Sequence, residues 1–324
     1  MQKRDVIKAW AGQVRSNFLA LAVVLVLLGL ALAGLHFSKS IDWIFGLKTR
    51  AFSVPGAILV MLGIVIAHAS VNLFNEYSDS RTGIDDHTKR TTFSGGTGLI
   101  QSGATTPVAV NTAAWLTIFL AFIIGLYFFI MSHWMIGVIM LIGGVSIVFY
   151  TTHFAKVLLG EFFAGLSLGS LVVIGTYIAM VAAPGDAVCS LFPANVVLIS
   201  IPPGILTALL LYLNEFPDVE ADTGGGRFHL VIWLGRKKAS YLYVAGLAAT
   251  YLSILIVPLL GYSSWWLLLG FLTLPVAVKA GMTTLKYYDN MEKLPPALGM
   301  NVITVLGTDL LLAVGVFIEM LVGR

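Results

Sequence analysis

Two stretches of this chain put side-chain oxygens at the end of an apolar run. The first is Asn72-Leu-Phe-Asn75-Glu-Tyr-Ser-Asp79-Ser-Arg-Thr-Gly83-Ile-Asp85-Asp86, after the apolar run that opens near Val54. If that helix continues to Asp79, then Asn72, Asn75 and Asp79 fall at i, i+3 and i+7 and share one face. The second is Asn214-Glu-Phe-Pro217-Asp218-Val-Glu-Ala-Asp222, where Asn214, Asp218 and Asp222 fall at i, i+4 and i+8. Carboxylates joined to a membrane-type run are costly and mark function rather than chance. Two such endings point to one shared site.

Clustered carboxylates and amides, with no cysteine and no histidine pair, make a hard oxygen site that favours magnesium or calcium over zinc. The metal candidates are Asn75, Asp79, Asp85, Asn214, Asp218 and Asp222. Asp86 and Glu220 read as solvent-facing charges. Asn72, one turn deeper, is a candidate for substrate contact or for bonding between helices. Magnesium is commonly held by one or two carboxylates together with the phosphate oxygens of a substrate. Lys89 and Arg90 follow the first stretch, and Arg227 follows Gly224-Gly-Gly226 in the second, so bases stand ready to cover phosphate charge.

A phosphate-bearing group approached from the membrane fits a prenyl diphosphate. Metal and bases would stabilise the leaving diphosphate while an apolar cavity keeps water from the allylic cation. Asp79 and Asp218 are the expected catalytic carboxylates. Tyr77, Tyr150, Tyr212 and Phe216 lie near the expected site, and Tyr150 and Tyr212 stand out at helix ends for facing the cation or the substrate. Arg15 is a further, weaker substrate-binding candidate. Glu161 either helps hold or deprotonate the acceptor or complements its helix N-terminus. His68 and His153 are isolated, and such histidines more often bond a neighbour than bind metal.

Of 324 residues, 58% are hydrophobic and 11% charged, against about 25% charged in soluble domains. This is the composition of a polytopic, all-α membrane protein. A net charge of +3, spread over short connections, excludes nucleic acid as the natural partner. The lone Cys189 excludes an intrachain disulfide and a cysteine-based metal site.

The spans read as Phe18–Phe37, Val54–Tyr77, Ala109–Ser132, Trp134–Tyr150, Glu161–Ala183, Ala194–Leu213, Ser240–Leu260, Ser264–Leu285 and Ala297–Val322, about nine helices in one domain covering residues 1–324. Ala31-Leu32-Ala33 has the look of a signal cleavage site, but Arg15 and the long run fit a retained first span. Polar segments over about 72–107 and 212–239 carry the acidic motifs. Counted across alternating connections, 15 of the 19 Lys and Arg lie on the N-terminal side, which places both acidic stretches at the cytoplasmic face of the cell membrane. The acidic stretches end the second and sixth spans, the pattern of two four-helix halves plus a ninth helix.

Asn75-x-x-x-Asp79-x-x-x-Gly83-x-Asp85 and Asn214-x-x-x-Asp218-x-x-x-Asp222 resemble the two aspartate-rich motifs of the UbiA superfamily of intramembrane prenyltransferases. With Phe93-Ser-Gly-Gly-Thr-Gly98, Gly160-Glu161 and Gly226-Arg227, the chain looks most like the 1,4-dihydroxy-2-naphthoate polyprenyltransferases of menaquinone synthesis. The resemblance implies magnesium-dependent transfer of a polyprenyl chain to an aromatic ring, and it implies that Lys156 binds diphosphate. Glu76 stands where many members carry aspartate, a change expected to matter little if Glu76 supports the site without itself binding the metal. His153-Phe154-Ala155 lacks a usual proline, and Phe228-His229 replaces a more polar pair. Alternatives keep the chemistry with another acceptor, such as 4-hydroxybenzoate, a glyceryl phosphate lipid or a tetrapyrrole, or replace it with ion-coupled transport.

Overall fold

The computed structural model describes residues 3–39, 52–84, 95–149 and 153–322, and among them the secondary structure is entirely helical. Ten helices follow one another: α1 Lys3–Gln13, α2 Leu19–Lys39, α3 Val54–Thr82, α4 Pro107–Met131, α5 Met135–Phe149, α6 Gly160–Val181, α7 Ala194–Gly224, α8 Leu230–Leu259, α9 Trp265–Tyr287 and α10 Pro295–Val322. Eight of them are long and apolar enough to cross a membrane. The fourth expected span, α5, is apolar but only 15 residues long, about 22 Å at 1.5 Å per residue and so shorter than the hydrocarbon core.

The helix boundaries follow local chemistry. Ser53 caps α3 by accepting the Gly56 N–H at 3.1 Å, with Pro55 in the first turn, and Gly83 ends the helix at φ 73°. Thr106 caps α4 in the same way through the Ala109 N–H at 3.2 Å, ahead of Pro107. Proline in the first turn loses no helical hydrogen bond, which is why both starts tolerate it.

The first part of each acidic segment continues the helix before it. α3 runs past Tyr77 to Thr82, and α7 runs past Leu213 to Gly224, so the apolar run sets the span while the motif extends the same helix beyond it. α8 begins at Leu230 instead of Ser240 and is broken at Gly235, whose φ of 74° and ψ of 146° only glycine adopts freely.

α7 is the central helix. It packs against α8, against α6 and against α10. Gly165 and Gly169 of α6 meet Gly204 of α7 so closely that an added Cβ on Gly165 would lie 2.5 Å from the Gly204 carbonyl oxygen. That approach coincides with a π-helical stretch, Gly165–Ser170, inside α6, where small residues let two backbones touch. α10 packs along both α2 and α9 and so closes the bundle. Much of the outer surface is apolar, including Trp115, Phe119 and Phe122 on α4, as expected of a surface that faces lipid.

Candidate active site

α3 brings Asn72, Asn75, Glu76 and Asp79 to one end of the bundle, and α7 brings Asn214, Glu215, Asp218 and Asp222 to the same end. One side chain links the two sets. Arg227 donates through Nη1 to Asp222 Oδ1 at 2.8 Å and through Nη2 to Asp79 Oδ1. The local sequence explains how it gets there. After α7 ends, Gly226 takes φ 78° and the Arg227 N–H donates to the Asp222 carbonyl at 2.8 Å, so the chain folds back and aims the guanidinium across the gap to α3.

The pair of motifs also contains unsatisfied oxygens. Asn214 Oδ1 and Asp218 Oδ1 are buried and have no hydrogen-bond partner. Leaving such atoms dry and unpaired costs about 1–3 kcal/mol each, and a hard divalent cation is a chemically suitable partner for both. The oxygen donors here therefore fit magnesium.

Glu76 fastens the first motif. It is 1% exposed and accepts from Arg15 Nε at 2.9 Å, Arg15 Nη2 at 2.6 Å, Gln13 Nε2 at 3.3 Å, and the backbone N–H and hydroxyl of Thr97. This one carboxylate ties the end of α1, the Arg15 turn and the glycine-rich segment before α4 to α3. It also holds Arg15 in the left-handed region at φ 49°, which is uncommon for a residue with a Cβ. Glu76 is thus the junction of three segments.

Below this rim lies a cavity of about 400 Å³. Arg15, Asn72, Asn75 and Asn214 line its polar end, while Val60, Gly63, Ile64, Ala67 and Val71 of α3 line its apolar depth. From Val60 to Asn75 the helix advances about 22 Å at 1.5 Å per residue, so the cavity is long as well as apolar. His68 and Thr207 also line it, each seven residues before a motif asparagine.

A family model described as the UbiA prenyltransferase family matches residues 22–302. The chain belongs to this family. It is a multi-pass membrane prenyltransferase. Among its relatives in the family, the 1,4-dihydroxy-2-naphthoate octaprenyltransferase of Bacillus subtilis (strain 168) is 30% identical over 244 residues, 73% of this chain and 75% of that one. The enzyme of the same description from Escherichia coli (strain K12) is 24% identical and covers 96% of both chains. The apo structure of a UbiA homolog from Aeropyrum pernix K1 superposes with a TM-score of 0.66 at 16% identity, covering 92% of this chain and 98% of that one. A UbiA homolog from Archaeoglobus fulgidus bound to DMAPP and Mg2+ superposes with a TM-score of 0.52 at 14% identity, covering 94% and 99%.

Against this family frame, the motif residues Asp79, Asn214, Asp218, Asp222 and Arg227 come together, while Asn75 and Asn72 reach the cavity. Asn72 also donates to the Val14 carbonyl, in the turn after α1, at 2.8 Å. Lys156 is exposed on a short turn, and that turn is tied to the site because Ala155 accepts the Phe228 N–H at 2.8 Å. Tyr212 does not line the cavity: it is 3% exposed, its hydroxyl donates to the Ala239 carbonyl at 3.2 Å, and its ring packs on Phe216. Glu161 does not line the cavity; its Oε1 accepts the Leu230 N–H at 2.8 Å. Arg236 bonds Glu220 at 2.6 and 2.7 Å and the Phe216 carbonyl at 2.9 Å. Asp85, Lys89, Arg90 and Tyr150 lie outside the described residues.

The sequence reading missed Gln13, Thr97, Glu215 and His229. A signal for Glu215 existed, because Glu215, Asp218 and Asp222 stand at i, i+3 and i+7. Thr97 belongs to the quoted Phe93–Gly98 segment, but its spacing ties it to neither acidic motif, and Gln13 offered no signal.

Proposed function

We propose that this enzyme transfers a polyprenyl group from an allylic prenyl diphosphate to an aromatic acceptor, 1,4-dihydroxy-2-naphthoate, as a step toward menaquinone. The observation that carries this reading is the Arg227 bridge between Asp79 and Asp222 at the polar end of a long apolar cavity. Support for the acceptor comes from the relatives of that description at 24% and 30% identity. The site opens toward the cytoplasm, following the bias of Lys and Arg among the connections.

In this reading Asn75, Asp79 and Asp85 hold one magnesium ion, and Asn214, Asp218 and Asp222 hold a second. When bound, magnesium neutralises diphosphate oxygens and eases departure of the diphosphate. Arg227 lies between the carboxylate sets and covers phosphate charge as a two-pronged donor. Lys156 adds charge from the turn tied to the site, Arg15, pinned by Glu76, contributes at the cavity rim, and Lys89 and Arg90 are further bases assigned to the diphosphate. The apolar cavity takes the prenyl tail and keeps water from the allylic carbon. The electron-rich acceptor ring attacks that carbon as its bond to the diphosphate oxygen breaks, and the ring then sheds the group at the attacked position, as a proton or carbon dioxide, to regain its aromaticity; Tyr150 is the residue this reading assigns to the developing cation.

The test is direct. Purified protein is incubated with magnesium, prenyl diphosphates of several lengths and a panel of naphthoate, hydroxybenzoate and glyceryl phosphate acceptors, and products are identified by mass spectrometry. Prenylated naphthoate as the main product supports the assignment. Product from another acceptor alone overturns the naphthoate assignment, and substrate flux without product overturns prenyl transfer.

A further inference from the structure

Three buried side chains beside the acidic helices take no part in the reaction as described above. Glu161 on α6, Glu215 on α7 and His229 just before α8 are 3%, 6% and 2% exposed, and one donor atom from each lies within 4.8 Å of the other two. Glu161 is held on one side, where Oε1 accepts the Leu230 N–H at 2.8 Å, while its Oε2 has no hydrogen-bond partner. Glu215 Oε2 has none either. His229 Nδ1 lies 3.4 Å from Glu215 Oε2 and Nε2 lies 3.3 Å from Asp222 Oδ2, and neither contact has hydrogen-bond geometry.

Two buried carboxylates and an imidazole converging on one point are expensive without a cation between them. The spacing between two of the donors matches one, and the third lies within 4.8 Å of both. Donor atoms around a four-coordinate ion at about 2.0–2.1 Å stand about 3.4 Å apart, the separation of His229 Nδ1 and Glu215 Oε2. A ligating histidine commonly turns its second nitrogen toward a carboxylate that fixes its tautomer, and His229 Nε2 faces Asp222. The set also differs in kind from the all-oxygen motifs, since an imidazole nitrogen shifts preference from magnesium toward zinc, manganese or cobalt.

We propose that Glu161, Glu215 and His229 form a separate site for a divalent transition-metal ion. The ion ties α6, α7 and the start of α8 together beneath the second motif, and the contact from His229 to Asp222 sets the orientation of that carboxylate. The site stands on geometry alone and does not depend on the acceptor or on prenyl transfer.

The experiment uses chelator-stripped full-length protein in detergent, exposed to Co2+ in the presence of excess Mg2+ and then freed of loose metal. We expect about one equivalent of retained cobalt, with the visible absorption of a four-coordinate ion bearing a nitrogen ligand, and a raised unfolding temperature. Glu161→Gln keeps an acceptor for the Leu230 N–H but loses the charge, and should weaken cobalt binding about tenfold or more. Asp218→Asn, which alters only the oxygen-rich motif, should retain cobalt as the wild type does. Absence of retained cobalt in the wild type overturns the proposal. So does wild-type cobalt binding by both Glu161→Gln and His229→Gln, or loss of cobalt through Asp218→Asn alone.

Discussion

Arg227 donates to Asp79, 148 residues away in the chain, while its other nitrogen holds Asp222. One guanidinium thus spans the ends of α3 and α7, and the two acidic motifs form a single mouth rather than two surface patches. A planar fork with several fixed donors can serve both carboxylates at once, which a lysine ammonium on a flexible stem cannot.

Replacing this arginine therefore tests the convergence itself. Arg227→Ala leaves Asp79 and Asp222 buried without their shared partner, and we expect kcat/KM to fall by about 10²-fold or more. Arg227→Lys should recover less than about a tenth of the activity, because one ammonium cannot reproduce the bridge. Steady-state rates of both variants with purified protein check the order.

Glu76 should behave as a structural hub. Glu76→Ala strands the Arg15 guanidinium and releases Gln13 and Thr97 together, and breaking a buried pair of this type costs about 3–5 kcal/mol. Thermal unfolding in detergent should show a clear loss for Glu76→Ala. The double variant Arg15→Ala/Glu76→Ala should lose less than the sum of the two single losses, since the residues share one interaction.

These two residues mark what the sequence made legible and what it hid. The spacing of Asn75 and Asp79, and of Asn214, Asp218 and Asp222, already placed each set on one helical face at the end of an apolar run, and parity of the spans put both at one end. Glu76 could be read only as an acid beside the motif, because its importance lies in Gln13, Arg15 and Thr97, which sequence periodicity does not connect. Helix ends were misjudged for a related reason. The polar turns to Thr82 and Gly224 are held by contacts such as those of Glu76 and Arg227, while hydropathy reports only the apolar part of each helix. Tyr212 sits at a helix end in sequence, yet the rotation of α7 turns its hydroxyl to Ala239.

The contact between α6 and α7 has little room. An added methyl at Gly165 would meet the Gly204 carbonyl oxygen at 2.5 Å, and one at Gly169 would meet the Gly204 Cα at 2.7 Å. Backbone cannot move aside as a side chain does, so Gly165→Ala should cost about 1–3 kcal/mol. Comparison of unfolding temperatures with Gly143→Ala, where an added Cβ meets nothing within 4 Å, separates crowding from a general effect of removing glycine.

The cavity sets a length preference. Ala67 lines it between the polar rim and the depth near Val60, so Ala67→Phe should obstruct long tails more than short ones. We expect kcat/KM for a long prenyl diphosphate to fall at least about tenfold relative to a short one, measured as a ratio in a mixed-substrate assay with products resolved by mass.

The most direct measurement is magnesium-dependent product formation by purified Asp79→Ala and Asp218→Ala, each titrated with Mg2+ at saturating acceptor. If the two motifs jointly grip one diphosphate through divalent ions, both variants lose about 10²-fold or more in kcat/KM and neither recovers at high magnesium. Wild-type rates and an unshifted magnesium response in either variant would contradict the account.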